Sequence, residues 1–343
     1  MKKINIKLIL ASALLMVFAG CKDSDFDSYK IQSVDSHGNG GSIISTAVTA
    51  AGGSEFFAYA VDASTSEAEY KMIPVALNAA DVAPQDIHVT MVPDPESLAE
   101  FNSANFDEFN DDGTLALAHP ELYYVMPGAS GTPAFTLVDN GVVTIPKGSS
   151  IGYLKIKTTS ANYFGATQYA YSYKISSVQE SGYILSGNHY WGIVALIPKN
   201  KYDGLYSLNL TTIGWSAYGI SDNLPGDYGT VAMITTGLTS CLFGNLVAGG
   251  NLQPGFTTGN ATKTAFGATG PEFVFDANNK LIDVHNTIPN DGRNRAFKIN
   301  PAALASENLY DPAAKTIVAN YLFTQNGRPD CTVKMILKYT GSR

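Results

Sequence analysis

Residues 214–228 group the side chains best suited to holding a sugar. Sugars present apolar C–H faces ringed by hydroxyls. A platform for them pairs an aromatic ring with hydrogen-bonding groups at its edge. Trp215, Tyr218 and Tyr228 supply rings here, and Asp222 and Asn223 supply polar edges. Gly214, Gly219, Pro225 and Gly226 mark the segment as loop. Loops on rigid scaffolds are where binding residues concentrate. The competing reading makes Trp215 a plug at one end of a barrel. Trp191 is a weaker binding candidate, because it shares an apolar strand with Ile193 and Ile197.

Hydrolysis has less support. A glycoside hydrolase needs two carboxylates about 5–9.5 Å apart across a cleft. Asp222, Asp227, Asp276 and Asp283 are acids of the second half, and turn or surface roles suit them better. His37, His88, His119, His189 and His285 show no i, i+4 pairing of the kind that binds zinc. Residues 108–113, Glu-Phe-Asn-Asp-Asp-Gly, alternate oxygen groups before a glycine as a calcium loop does. His119, however, stands where the closing bidentate acid belongs. The chain has no Gly-x-Ser-x-Gly elbow, P-loop or dinucleotide fingerprint. The expectation is a non-enzyme with no metal and no cofactor.

One thiol carries a processing signal. Lys2, Lys3 and Lys7 precede the apolar run Ile9 to Phe18, which is too short to span a bilayer as a mature helix. Ala19 and Gly20 then lead into Cys21. This ending resembles a bacterial lipobox, whose cysteine is lipidated and becomes the mature N-terminus. Two acyl chains anchor stably where one does not. Residues 1–20 are therefore expected to be a lipoprotein signal peptide, with the membrane as a partner through Cys21. The following Lys22-Asp23-Ser24-Asp25-Phe26-Asp27 resembles the surface-export signal of Bacteroidota lipoproteins. The expected address is the outer membrane, facing the cell exterior. In such an oxidising compartment Cys241 and Cys331 are candidates for a disulfide, the alternative being two buried thiols.

The net charge is −8, and cleavage before Cys21 would remove Lys2, Lys3 and Lys7 as well. So acidic a chain is a poor fit for nucleic acid or for a polybasic membrane contact. Only 15% of the residues are charged, against 32 glycines, 19 tyrosines and 16 phenylalanines, which is the composition of a turn-rich, all-β protein.

Residues 21–52 are polar and Gly-rich and read as a flexible tether. Residues 53–198 carry about seven strand signals and one helical excursion near 95–109, as an immunoglobulin-like sandwich would. Within them, Ile151, Tyr153 and Lys155 share one strand face, and Leu154 and Ile156 the other. Pro198-Lys199-Asn200-Lys201 marks a boundary. Residues 199–343 string strands between Gly/Thr/Asn loops. They read as an antiparallel barrel or sandwich, with a lipocalin-like form among the barrels.

Three segments then carry a resemblance. They are Leu98-Ala99-Glu100-Phe101-Asn102, His119-Pro120-Glu121-Leu122-Tyr123-Tyr124 and Val143-Thr144-Ile145-Pro146-Lys147-Gly148. In this order they resemble a Bacteroidota N-terminal domain of unknown function, over about residues 55–197. The second half resembles a domain that often follows it. Its marks are the opening Lys201-Tyr202-Asp203-Gly204-Leu205-Tyr206 and the closing Leu337-Lys338-Tyr339-Thr340-Gly341-Ser342-Arg343. Proteins of this layout resemble the glycan-binding accessory lipoproteins of Sus-like polysaccharide-uptake systems. The resemblance implies a polysaccharide ligand and an outer-membrane transporter complex as partners. A structural or adhesive protein that recognises another protein is the alternative.

Overall fold

The computed structural model describes residues 42–48, 55–79, 81–219, 221–222, 227–245, 255–257, 263–265, 269–288, 292–304 and 306–343. Among them the structure is β throughout, apart from one α-helix, Pro95–Phe106, and short 3-10 turns. Two compact units meet in sequence between Pro198 and Lys199.

The N-terminal unit is a two-sheet sandwich. One sheet orders Tyr183–Leu185, Ser42–Thr46, Glu67–Asn78, Ile151–Thr159 and Phe135–Leu137. The other orders Phe56–Asp62, Trp191–Lys199, Gln168–Val178, Ile87–Pro93 and Val142–Ile145. Alternation puts Val75, Leu77, Val89, Leu154, Ile156, Val194 and Leu196 inside. Each fully buried aliphatic side chain contributes about 1.5–3 kcal/mol.

Ser42–Thr46 lies within the segment expected to be tether, and corrects that reading. It pairs antiparallel with Glu67–Asn78 and parallel with Tyr183–Leu185, and Ile44 is completely buried. The β-branched run Ile43-Ile44-Ser45-Thr46 supplies a strand that a composition averaged over the neighbouring glycines conceals.

The helical excursion is pinned by the residues of the resemblance. The Asn102 side chain donates to Tyr124 O and accepts from Tyr124 N–H, both at 2.9 Å. Asp107, just past the helix, accepts from the Tyr123 and Ser103 hydroxyls and from the His119 N–H. Residues 108–113 form part of a hairpin, Glu108–Phe109 against Leu115–Leu117. In its turn, Asp112 accepts from both the N–H and the hydroxyl of Thr114.

Of the two forms expected for the C-terminal unit, the structure adopts the barrel. Its strands run Leu281–Asn286, Pro271–Phe275, Ser240–Asn245, Asp227–Thr235, Gly204–Ile213, Cys331–Gly341, Thr316–Thr324 and Ala296–Ile299, with Leu309–Asp311 also on Thr316–Thr324. The ends of this order lie side by side. Main-chain bonds from Leu281 N to Asn308 O and from Tyr310 N to Asn279 O nearly close the sheet. An eight-strand barrel is just wide enough to be filled by side chains. Tyr206, Phe243, Phe273, Phe275, Tyr321 and Phe323 fill much of this one, none more than 1% exposed.

Of the two alternatives for Cys241 and Cys331, the structure holds the buried thiols: both cysteines are free and buried. Cys241 stands opposite Thr235, at the barrel end where Gly204–Ile213 begins. Cys331 stands beside Gly214, where that strand finishes. The ends of such a strand are about 30 Å apart, and a disulfide needs Cα atoms within about 7 Å. Each thiol is bonded locally instead, Cys241 to Asn200 Oδ1 and Cys331 to Gly214 O, both at 3.2 Å.

Candidate functional site

In the loop expected to form a sugar platform, the described residues 214–219 make a barrel plug. Gly214 and Gly219 take left-handed conformations at either end of the 3-10 turn Trp215–Tyr218. That turn folds the Trp215 ring into the barrel, where it is 1% exposed and stacks on Phe323 with centroids 5.0 Å apart. A ring so buried offers no face to a ligand, which overturns its assignment as a binding residue. Tyr218 packs edge-on to Phe323 and donates its hydroxyl to Pro329 O at 3.1 Å. Asp222 accepts the Trp215 N–H at 2.9 Å, and Tyr228 packs against the barrel core. Asn223 and Cys21 lie outside the described residues.

Two more of the carboxylates weighed for hydrolysis are engaged, and the side chain of Asp227 lies outside the described residues. Asp276 accepts the Asn278 and Lys280 N–H groups of a turn. Asp283 contacts His285, which pairs in turn with Glu272 at 2.9 Å on the exposed barrel wall. Among the described residues no group of three His, Cys, Asp or Glu is placed to hold a metal.

A groove of about 360 Å³ opens instead on the N-terminal unit. That volume lies within the range of small-molecule sites. It is positioned by two consecutive strands. In Val142–Ile145, Val143 and Ile145 point inward, so Val142 and Thr144 point out. In Ile151–Thr159, Leu154 and Ile156 point inward, so Tyr153 and Lys155 point out. The two strands touch at Gly152, where a Cβ would meet Thr144 O at 2.4 Å. The left-handed residues Asp139, Asn140 and Gly141 bring Asp139 to the rim.

The groove combines one ring with polar edges. Tyr153 is half-buried, and the Lys71 ammonium lies 5.1 Å from its ring centroid. Lys155 pairs with Glu69 at 3.3 Å. Thr144, Ser149 and Asp139 complete the polar lining. Such a site can hold a ring by its apolar face and a set of hydroxyls or charges by its rim. The sequence already placed Tyr153 and Lys155 on one strand face. What it lacked was the register that sets Lys71 of Glu67–Asn78 directly across from Lys155.

A family model described as an N-terminal domain matches residues 41–182, fewer than half of the 343. No curated protein matches the chain. A solved structure from Bacteroides ovatus, of unknown function, is 14% identical with a TM-score of 0.56, over 88% of this chain and 95% of its own. The two share a fold. An auxiliary nutrient binding protein from Bacteroides thetaiotaomicron VPI-5482 is also 14% identical, over 83% of this chain and 90% of its own, with a TM-score of 0.43.

Proposed function

We propose that this protein is a non-catalytic surface lipoprotein that binds glycan and assists polysaccharide capture and uptake. The observation that carries the binding is the groove around Tyr153, which joins an aromatic face to a rim of hydroxyl, carboxylate and ammonium groups. The sequence around Cys21 supports an acyl anchor in the outer membrane, and the acidic segment after it supports display outward. An outer-membrane transporter complex is the partner such an accessory would serve. A glycan array probed with the wild-type chain and with Tyr153→Ala tests the binding. Wild type is expected to retain specific glycans that the variant loses. Equal retention by both would exclude this groove.

A second reading, recognition of a protein partner, is favoured by the hairpin that carries Phe109, Leu115 and Leu117. Each of these is about half exposed. No Lys or Arg stands between Lys71 and Lys147, so this surface is acidic, with Glu108, Asp111, Asp112 and Glu121 nearby. Its partner would present an apolar patch with a basic rim. A pull-down from outer-membrane extract with wild type and with Phe109→Ser/Leu115→Ser checks it. Loss of a specific partner from the variant supports this reading.

A further inference from the structure

On an acidic chain, the groove is a place where two cations stand together. Lys71 and Lys155 are directly opposite each other on adjacent antiparallel strands. Like charges in that relation destabilise a sheet. Neither ammonium is fully committed. Lys155 meets Glu69, but both side chains are about two-fifths exposed, and an exposed pair of this kind holds weakly. Lys71 rests on the Tyr153 ring, a contact that is weak at an exposed site. Among the described residues no carboxylate pairs with Lys71. Both contacts are weak enough for a ligand anion to replace.

An arriving anion would do two things at once. It would relieve the cross-strand repulsion, and it would draw Lys71 off the Tyr153 face and leave that face to an apolar surface. A sugar ring bearing a carboxylate or a sulfate offers both groups in one residue. A neutral sugar offers only the apolar face and displaces the ammonium without compensation. Asp139 also lines the groove, and a carboxylate can accept from sugar hydroxyls.

We infer that the groove selects anionic polysaccharide, its carboxylate or sulfate held between Lys71 and Lys155 while a sugar ring lies on Tyr153. This rests on the reading of the groove as a glycan site.

The test is affinity electrophoresis of the full chain in gels containing polygalacturonate, a sulfated galactan or neutral galactan. Wild type should be retarded by a charged polymer at least tenfold more strongly than by the neutral one, with the loss growing as salt is raised. Whether the carboxylated or the sulfated gel retards more identifies the anion. Lys71→Gln and Lys155→Gln should each weaken retention about tenfold, the scale of one charge-assisted hydrogen bond. Thermal melting of each variant checks that the fold is kept. Equal retention by neutral and charged gels, unchanged in both lysine variants yet lost in Tyr153→Ala, would overturn the anionic selectivity and leave the glycan site standing. No retention in any gel, with Tyr153→Ala indistinguishable from wild type, would overturn the glycan site itself.

Discussion

Asp203 and Arg343 are 140 residues apart in sequence and 3.2 Å apart in the barrel. The Asp203 side chain is only 3% exposed. Its Oδ2 also accepts the N–H and hydroxyl of Thr235, and Lys199 lies 3.5 Å from Oδ1. Next to it, Gly204 adopts φ +154°, and a Cβ there would meet the Tyr339 ring at 2.5 Å. The opening and closing motifs of the C-terminal unit are thus two halves of one fastening.

Asp203→Asn is expected to destabilise the barrel by about 3 kcal/mol, because removing one member of a buried pair strands the other. Burial alone would raise the Asp203 pKa. The Arg343 charge, the Thr235 N–H and Lys199 outweigh it and hold the carboxyl below its ordinary value. Its contribution is therefore full above the ordinary carboxylate range and lost as pH falls through the depressed folded value. Urea denaturation at several pH values should show an acid limb that flattens in the variant.

Trp215→Ala should cost about 3–5 kcal/mol, the range for emptying a large aromatic from a core. Glycan retention by the remaining folded protein should match wild type. Denaturation curves and the affinity gels separate the two effects.

In a Cys21→Ala background, native protein should resist thiol reagent, and unfolding should release two reactive groups. Burial pushes the Cys331 thiol up to about 11, and the Cys241 thiol up as well, so neither is a ready nucleophile. Reducing agent should leave the melting temperature unchanged.

Glu55 gives the opposite pH sign to Asp203. Its Oε1 meets His189 Nδ1 at 2.5 Å, and its Oε2 is buried with no hydrogen-bond partner. Burial raises its pKa, against the His189 hydrogen bond and charge. Stability tied to the protonated form is full below the ordinary carboxyl value and lost as pH rises through the elevated folded one. Glu55→Gln should remove that decline, read as a flatter profile of denaturation midpoints from pH 4 to 8.

The β class of the chain was legible because alternation is a local signal. Leu154 and Ile156 face inward and Tyr153 and Lys155 outward, as their spacing implies. The helix after Asp94 was legible for the same reason. What the spacing could not convey was registration between distant strands. Gly214 and Gly219 correctly marked a turn at Trp215, but the direction of that turn, into the barrel, is decided by contact with Phe323, more than a hundred residues away. The Lys71–Lys155 pairing is likewise a matter of register. The choice between a bridge and two thiols at Cys241 and Cys331 turns on distance, which composition does not contain.

Gly204–Ile213 and Cys331–Gly341 are the first and last barrel strands, and they are also hydrogen-bonded neighbours. The chain thus comes into the barrel and leaves it at one rim, with Leu205 paired to Gly341. Modules with adjoining ends can be inserted, exchanged or circularly permuted at little cost. Joining residues 341 and 204 by a short linker and opening the ring at the Asn278–Asn279 turn would leave every barrel strand with its present neighbours. The barrel's connectivity is in that sense nearly circular, its order of strands independent of where the chain is cut.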